Sequence, residues 1–95
     1  MDETIRTCKN FINTNDLISL QKYVITLFDQ ENDWPYLFQK VYLHACLKGQ
    51  EDTEKWLREA MYPQMDPIQQ IALRQIFPYG RHLIATAKRR AQSSS

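Results

Sequence analysis

A chain of 95 residues, 43% apolar and 24% charged, has the size and make-up of one small globular domain. Its formal net charge of +1 excludes a chain that is polycationic or polyanionic throughout. No run approaches the roughly 20 apolar residues that span a bilayer, and the two glycines stand alone, which excludes a Gly-rich phosphate loop.

From the N-terminus, a first helix is expected over about Glu3 to Ile12, with Asp2 accepting from its free amides. Ile5, Cys8, Phe11 and Ile12 recur at helical spacing and form one apolar face. Asn13 to Asp16 reads as a turn, because Asn and Asp tolerate left-handed backbone and also cap helices. Asp16 then caps a second helix from Leu17 to about Asp29, striped by Leu17, Leu20, Val24, Leu27 and Phe28 and widened by Tyr23. Ile18 and Ile25 fall on another side of it, a surface suited to self-association.

Asp33 caps a third helix, with Pro35 in the first turn where no amide is needed. Trp34, Leu37, Phe38, Val41 and Ala45 follow at helical spacing, and Gly49 is expected to end this helix in left-handed backbone. A fourth helix runs from about Glu51 to Met61 with Thr53, Trp56, Leu57, Ala60 and Met61 inward. After the break at Tyr62–Met65, Asp66-Pro67-Ile68-Gln69 is a capping box with proline at the first helical position. Ile68, Ile71, Ala72, Gln75 and Ile76 make the stripe of this fifth helix, and Pro78 is expected to stop it. A sixth helix is expected from near Arg81, through Leu83, Ile84 and Ala87, to Lys88-Arg89-Arg90, whose charges complement the helix dipole. Residues 1–90 form the single domain on this reading, and 91–95 a disordered polar tail. No segment alternates with period two, so the fold class is all-α: six short helices as three helix–turn–helix pairs.

The start signals at Asp2, Asp33 and Asp66 are 31 and 33 residues apart, the spacing of a small helical repeat. Residues 44–57 resemble the centre of an ankyrin repeat: Ala45 in the first helix, Gly49 four residues on, and the Trp56-Leu57 pair in the second. Residues 15–23 form a weaker copy, with Asn15 in place of the glycine, and the repeat-opening Thr-Pro-Leu-His is absent. The resemblance implies non-catalytic protein–protein recognition through the first helices and loop tips. A small helical bundle of another kind satisfies the same pattern.

Catalytic and metal chemistry find little to work with. Cys8, His44, Cys46 and His82 contain no CxxC and no His pair four apart, and His44 and Cys46 point in different directions on one helix. The run Glu51-Asp52-Glu54 falls in a first helical turn, where the dipole favours acids. The cysteines are expected to be small buried hydrophobes. No catalytic residue, cofactor or metal is assigned, and the chain is not expected to be an enzyme. Asp2 and Glu3 follow Met1 directly, and sites for myristoylation and prenylation are absent, so the expected location is intracellular, cytoplasmic or nuclear.

Two surfaces remain. Trp34, Tyr36, Tyr62, Met65 and Tyr79 are more aromatic and sulfur surface than so small a core should hold, with Tyr42 a further candidate, so they are expected to anchor a protein partner. Residues 65–95 carry five basic groups, Arg74, Arg81, Lys88, Arg89 and Arg90, against Asp66 alone. They suit an acidic partner or, alternatively, nucleic acid, with Tyr79 and His82 near enough to stack on bases. The expected function is a small protein-interaction module, a regulatory or accessory factor of the kind viruses and mobile elements carry. The alternative is a nucleic-acid-binding regulator that uses the basic C-terminal hairpin.

Overall fold

The computed structural model describes residues 2–93 and contains, among them, six α-helices, one short 3₁₀ turn and no strand. The helices are α1 (Asp2–Asn13), α2 (Leu17–Leu27), α3 (Trp34–Leu47), α4 (Glu51–Ala60), α5 (Pro67–Leu73) and α6 (Ile76–Ser93), with the 3₁₀ turn at Tyr62–Gln64. Helix α3 is the centre of the molecule: α1, α4, α5 and α6 all pack against it. Helix α2 packs on α1 at one edge. Leu37, Phe38, Val41, Tyr42, Ala45 and Cys46 of α3 are accordingly removed from solvent altogether.

The N-termini of α2, α3 and α5 are set by side-chain caps. Asp16 accepts from the Ser19 amide at 3.1 Å and from the Ser19 hydroxyl at 2.7 Å. Asp33 caps α3 through the Tyr36 amide. Asp66 and Gln69 close the capping box in both directions, at 2.8 and 3.1 Å. Two turns use left-handed backbone, at Asn15 (φ 55°) and Gly49 (φ 70°). The Gln50 amide group bridges those turns: it donates to the Ile12 carbonyl at 2.6 Å and accepts from the Thr53 hydroxyl at 3.1 Å.

The last two helices depart from the sequence pattern. Helix α6 begins at Ile76 rather than near Arg81, so Pro78, Tyr79 and Gly80 are helical and not a turn. Pro78 falls in the first turn, where amides have no partner within the helix, so the ring costs nothing there. Helix α6 also runs on through Ser93, into the segment expected as a tail, while residues 94 and 95 lie outside the described residues.

Gly80 is the point where α6 crosses α3. A Cβ at this position would lie 2.7 Å from Cε2 of Tyr42 and 2.8 Å from Sγ of Cys46. Both distances are far inside the 3.5–4.0 Å optimum for carbon contacts. The glycine is therefore present for close packing, not for turn conformation.

Helix α5 is turned about its axis from the expected orientation. Ile68, Ile71 and Ala72 face solvent, and Leu73 enters the core. Gln70 fixes this rotation. Its backbone carbonyl accepts from the Tyr62 hydroxyl at 2.7 Å, and its side-chain amide donates to the Met65 carbonyl at 3.0 Å. Those bonds hold Gln70, with Leu73 one turn on, toward the 3₁₀ segment and turn the isoleucines away.

Phe38, Tyr42, Tyr62 and Phe77 form an aromatic cluster beside α3. Phe38 stacks on Tyr42 with ring centroids 5.0 Å apart, and Phe77 meets Phe38, Tyr42 and Tyr62 at 6.2, 5.5 and 5.0 Å. A buried polar network adjoins them. The Tyr42 hydroxyl donates to Oε2 of Glu54 at 2.6 Å, and Nε of Arg58 donates to the same oxygen at 2.9 Å. Glu54 is 6% exposed, so this partnering is what makes its burial tolerable.

Candidate functional site

Charged side chains line several open grooves among the described residues. One lies where α4, α5 and α6 meet and is lined by Arg58, Tyr62, Pro67, Gln70, Ile71, Arg74, Phe77 and Arg81. Tyr62, Phe77, Pro67 and Ile71 supply its apolar side chains. Its charged lining residues are all arginine, and no acid takes part. Arg58 is already engaged with Glu54, which raises the guanidinium pKa further. Beside this groove α5 presents Ile68 and Ile71, 80% and 67% exposed, one helical turn apart. Isolated exposed isoleucines are ordinary, but two on one short helix next to a cationic apolar groove make a coherent contact surface.

A second groove runs between α4 and α6, lined by Glu51, Asp52, Glu54, Lys55, Arg58, Arg81, Ile84, Ala85 and Lys88. Lys88 pairs with Glu51 across it. The basic C-terminal residues are thus interleaved here with acids from the first turn of α4.

A third groove lies between α1 and α3 and was not legible in the sequence. Asp2, Ile5, Arg6, Lys9, Asn10, Asn13, Tyr36, Lys40 and His44 line it. His44 Nε2 and the Asn13 side-chain oxygen are 2.7 Å apart. Burial, followed by Lys9 and Lys48, holds the His44 pKa below its ordinary value. The Lys40 ammonium sits over the Tyr36 ring, 5.5 Å from its centroid. A basic stripe of Lys40, His44 and Lys48 at i, i+4 and i+8 is the one local signal that could have pointed here.

The expected partner-binding set is only partly brought together. Tyr36 and Tyr79 are exposed, at 41% and 55%, but Tyr36 lines the α1–α3 groove while Tyr79 lies at the start of α6. Met65 is not a surface anchor. It is 4% exposed in the core, where the extended chain before Asp66 turns it inward. Tyr42 is buried, held by its bond to Glu54 and its stack on Phe38. Trp34 is half-buried against Phe28, with centroids 5.8 Å apart, and Tyr62 is half-buried with its hydroxyl satisfied by Gln70. Of the basic set, Arg74 and Arg81 share the α4–α5–α6 groove, Lys88 pairs with Glu51, and Arg89 and Arg90 lie further along exposed α6.

Cys8 and Cys46 are free, fully buried thiols, both pushed up to about 12, by burial alone at Cys8 and by burial aided by Glu54 at Cys46. A thiol so protonated and enclosed is a poor nucleophile. His82 is exposed on α6. No three His, Cys, Asp or Glu side chains among the described residues are grouped to hold a metal ion. No described helix is long and apolar enough to cross a membrane. Compared with known proteins, the chain matches no protein-family model, no curated protein and no solved structure.

Proposed function

We propose that this protein is a small non-catalytic interaction module that docks an acidic protein partner in the α4–α5–α6 groove. One observation carries the reading. Ile71 lines, and exposed Ile68 adjoins, a groove that also takes in Tyr62, Pro67 and Phe77 and whose charged lining residues are Arg74, Arg81 and the Glu54-paired Arg58. Interfaces of this kind seat an apolar anchor centrally and use arginines to orient opposing acids. Regulatory or accessory work suits such a docking surface. The ankyrin-like resemblance supports protein recognition in general but not this face in particular. Nucleic-acid binding through the basic C-terminal hairpin is less well supported, because Glu51, Asp52 and Glu54 line the groove that holds Arg81 and Lys88.

The test is affinity capture with nuclease-treated extract, comparing the parent chain with Ile68→Ser/Ile71→Ser and with Arg74→Gln/Arg81→Gln. These side chains are exposed, so both variants should keep the parent denaturation midpoint. The expected outcome is a discrete protein set retained by the parent and lost from both variants. Capture that both variants leave unchanged would refute the assignment of this face.

A further inference from the structure

The geometry points to a second binding face, the α1–α3 groove, as a site for single-stranded nucleic acid, with Arg6, Lys9 and Lys40 on its phosphates and the Tyr36 ring as a stacking platform. Two helices facing each other supply the cations: Arg6 and Lys9 from α1, Lys40 from α3. Lys48 extends the α3 stripe past His44, a span of about 12 Å at 1.5 Å per residue. Asp2, at one end, is the single acid in the lining. A groove of positive charge that tracks a backbone, with an aromatic ring along it, is how single strands are held without sequence readout.

The groove does not suit a peptide as well. Its aliphatic member, Ile5, is 8% exposed, so the exposed apolar group it offers is the flat Tyr36 ring, in contrast to the aliphatic Ile68 and Ile71 beside the other groove. Nor does it rest on the C-terminal arginines. The ammonium of Lys40 now rests over the Tyr36 ring. A base entering on that ring exchanges cation–π contact for stacking and frees the ammonium for a phosphate. The Asn10 and Asn13 amides lie along the same groove as hydrogen-bonding groups.

His44 reports occupancy. Arg6 and Lys9 on α1 and Lys40 and Lys48 on α3 are the cations about the groove, and Asp2 is its acid. A bound phosphate offsets the repulsion from Lys9 and Lys48 while the added burial acts the other way, so the ring's chemical shifts, not the direction of its titration, read occupancy.

The experiment is fluorescence anisotropy of a labelled oligothymidylate titrated with the full chain, with the His44 ring followed by NMR in parallel. Three phosphate contacts to a single strand give a slope of log K against log salt of about −2, or about fifteenfold weaker binding from about 50 to about 200 mM salt. Arg6→Gln/Lys9→Gln/Lys40→Gln is expected to abolish binding, and Tyr36→Ala to weaken it about tenfold. Arg74→Gln/Arg81→Gln should bind as the parent does, which separates this proposal from the protein-docking face. Should the triple variant fold poorly, Lys40→Gln alone must weaken binding and reduce the salt slope by about 0.7. No anisotropy change at low salt overturns the proposal. So does equal binding of polyglutamate, loss of binding in Arg74→Gln/Arg81→Gln, or His44 ring resonances unmoved by the oligonucleotide.

Discussion

Replacing Gly80 by alanine sets two physical effects against each other. Inside a helix, alanine is favoured over glycine by about 1 kcal/mol, so propensity alone makes Gly80→Ala stabilising. The structure gives the opposite sign. The new methyl would stand 2.7 Å from a ring carbon of Tyr42 and 2.8 Å from the Cys46 sulfur. Neither neighbour can step aside: Tyr42 is stacked on Phe38 and bonded to Glu54, and Cys46 is enclosed on α3. Relief requires α6 to move off α3 by something near 1 Å, and overpacking of this kind costs about 1–3 kcal/mol. With two simultaneous overlaps the upper figure applies, leaving a net loss of about 2 kcal/mol after the propensity gain. For a domain of this length that lowers Tm by about 8–16 °C. Urea denaturation and thermal melting followed by helical circular dichroism read both quantities. Cys46→Ala in the same chain removes one overlap, so the double variant should lose less than the two single losses combined. A Gly80→Ala protein as stable as the parent, or more so, would refute the close crossing of α3 and α6.

The remaining expectations concern the polar core and the caps. Tyr42→Phe removes a 2.6 Å buried hydrogen bond while Glu54 keeps Arg58, so urea denaturation at neutral pH should show a loss of about 1–2 kcal/mol. The Cys8 and Cys46 thiols, held at about 12 against an ordinary 9.0, stay protonated in the fold after the unfolded chain has begun to ionise. Their contribution is complete below pH 9 and is lost as pH rises toward 12, at up to about 1.4 kcal/mol per pH unit for each thiol. Denaturation midpoints between pH 9 and pH 11 should therefore fall steeply in the parent and more gently in Cys8→Ala/Cys46→Ala. Asp66→Ala removes the capping box of α5 and should cost about 1 kcal/mol, with the local opening visible as faster amide exchange at Gln69.

Where the sequence was a reliable guide, a single residue had a single physical use. Asp16, Asp33 and Asp66 cap because each can accept from a first-turn amide, and Gly49 ends α3 because it alone takes φ 70° there without strain. Pro78 has two uses that local sequence cannot separate: it stops a helix from within and begins one comfortably. Tertiary packing chose the second. The stripe of α5 misled for a related reason. In a helix of seven residues, rotation is set by whatever tethers it, and Gln70 does that through bonds to a segment that looks like featureless loop. The size of the core points Met65 to the surface along with the tyrosines, yet one extended residue suffices to turn its side chain inward. The α1–α3 groove was beyond reach because Arg6 and Lys9 meet Lys40 and His44 only through the packing of helices far apart in the chain.

Placing α3 against α1, α4, α5 and α6 leaves the molecule without a natural seam. Cutting the chain in the Lys48–Gln50 turn would give one piece with a naked oily helix on its surface and another with the matching empty trough. Neither could stand alone, and each would be the other's best ligand, so two inert fragments expressed together should reassemble into the working whole.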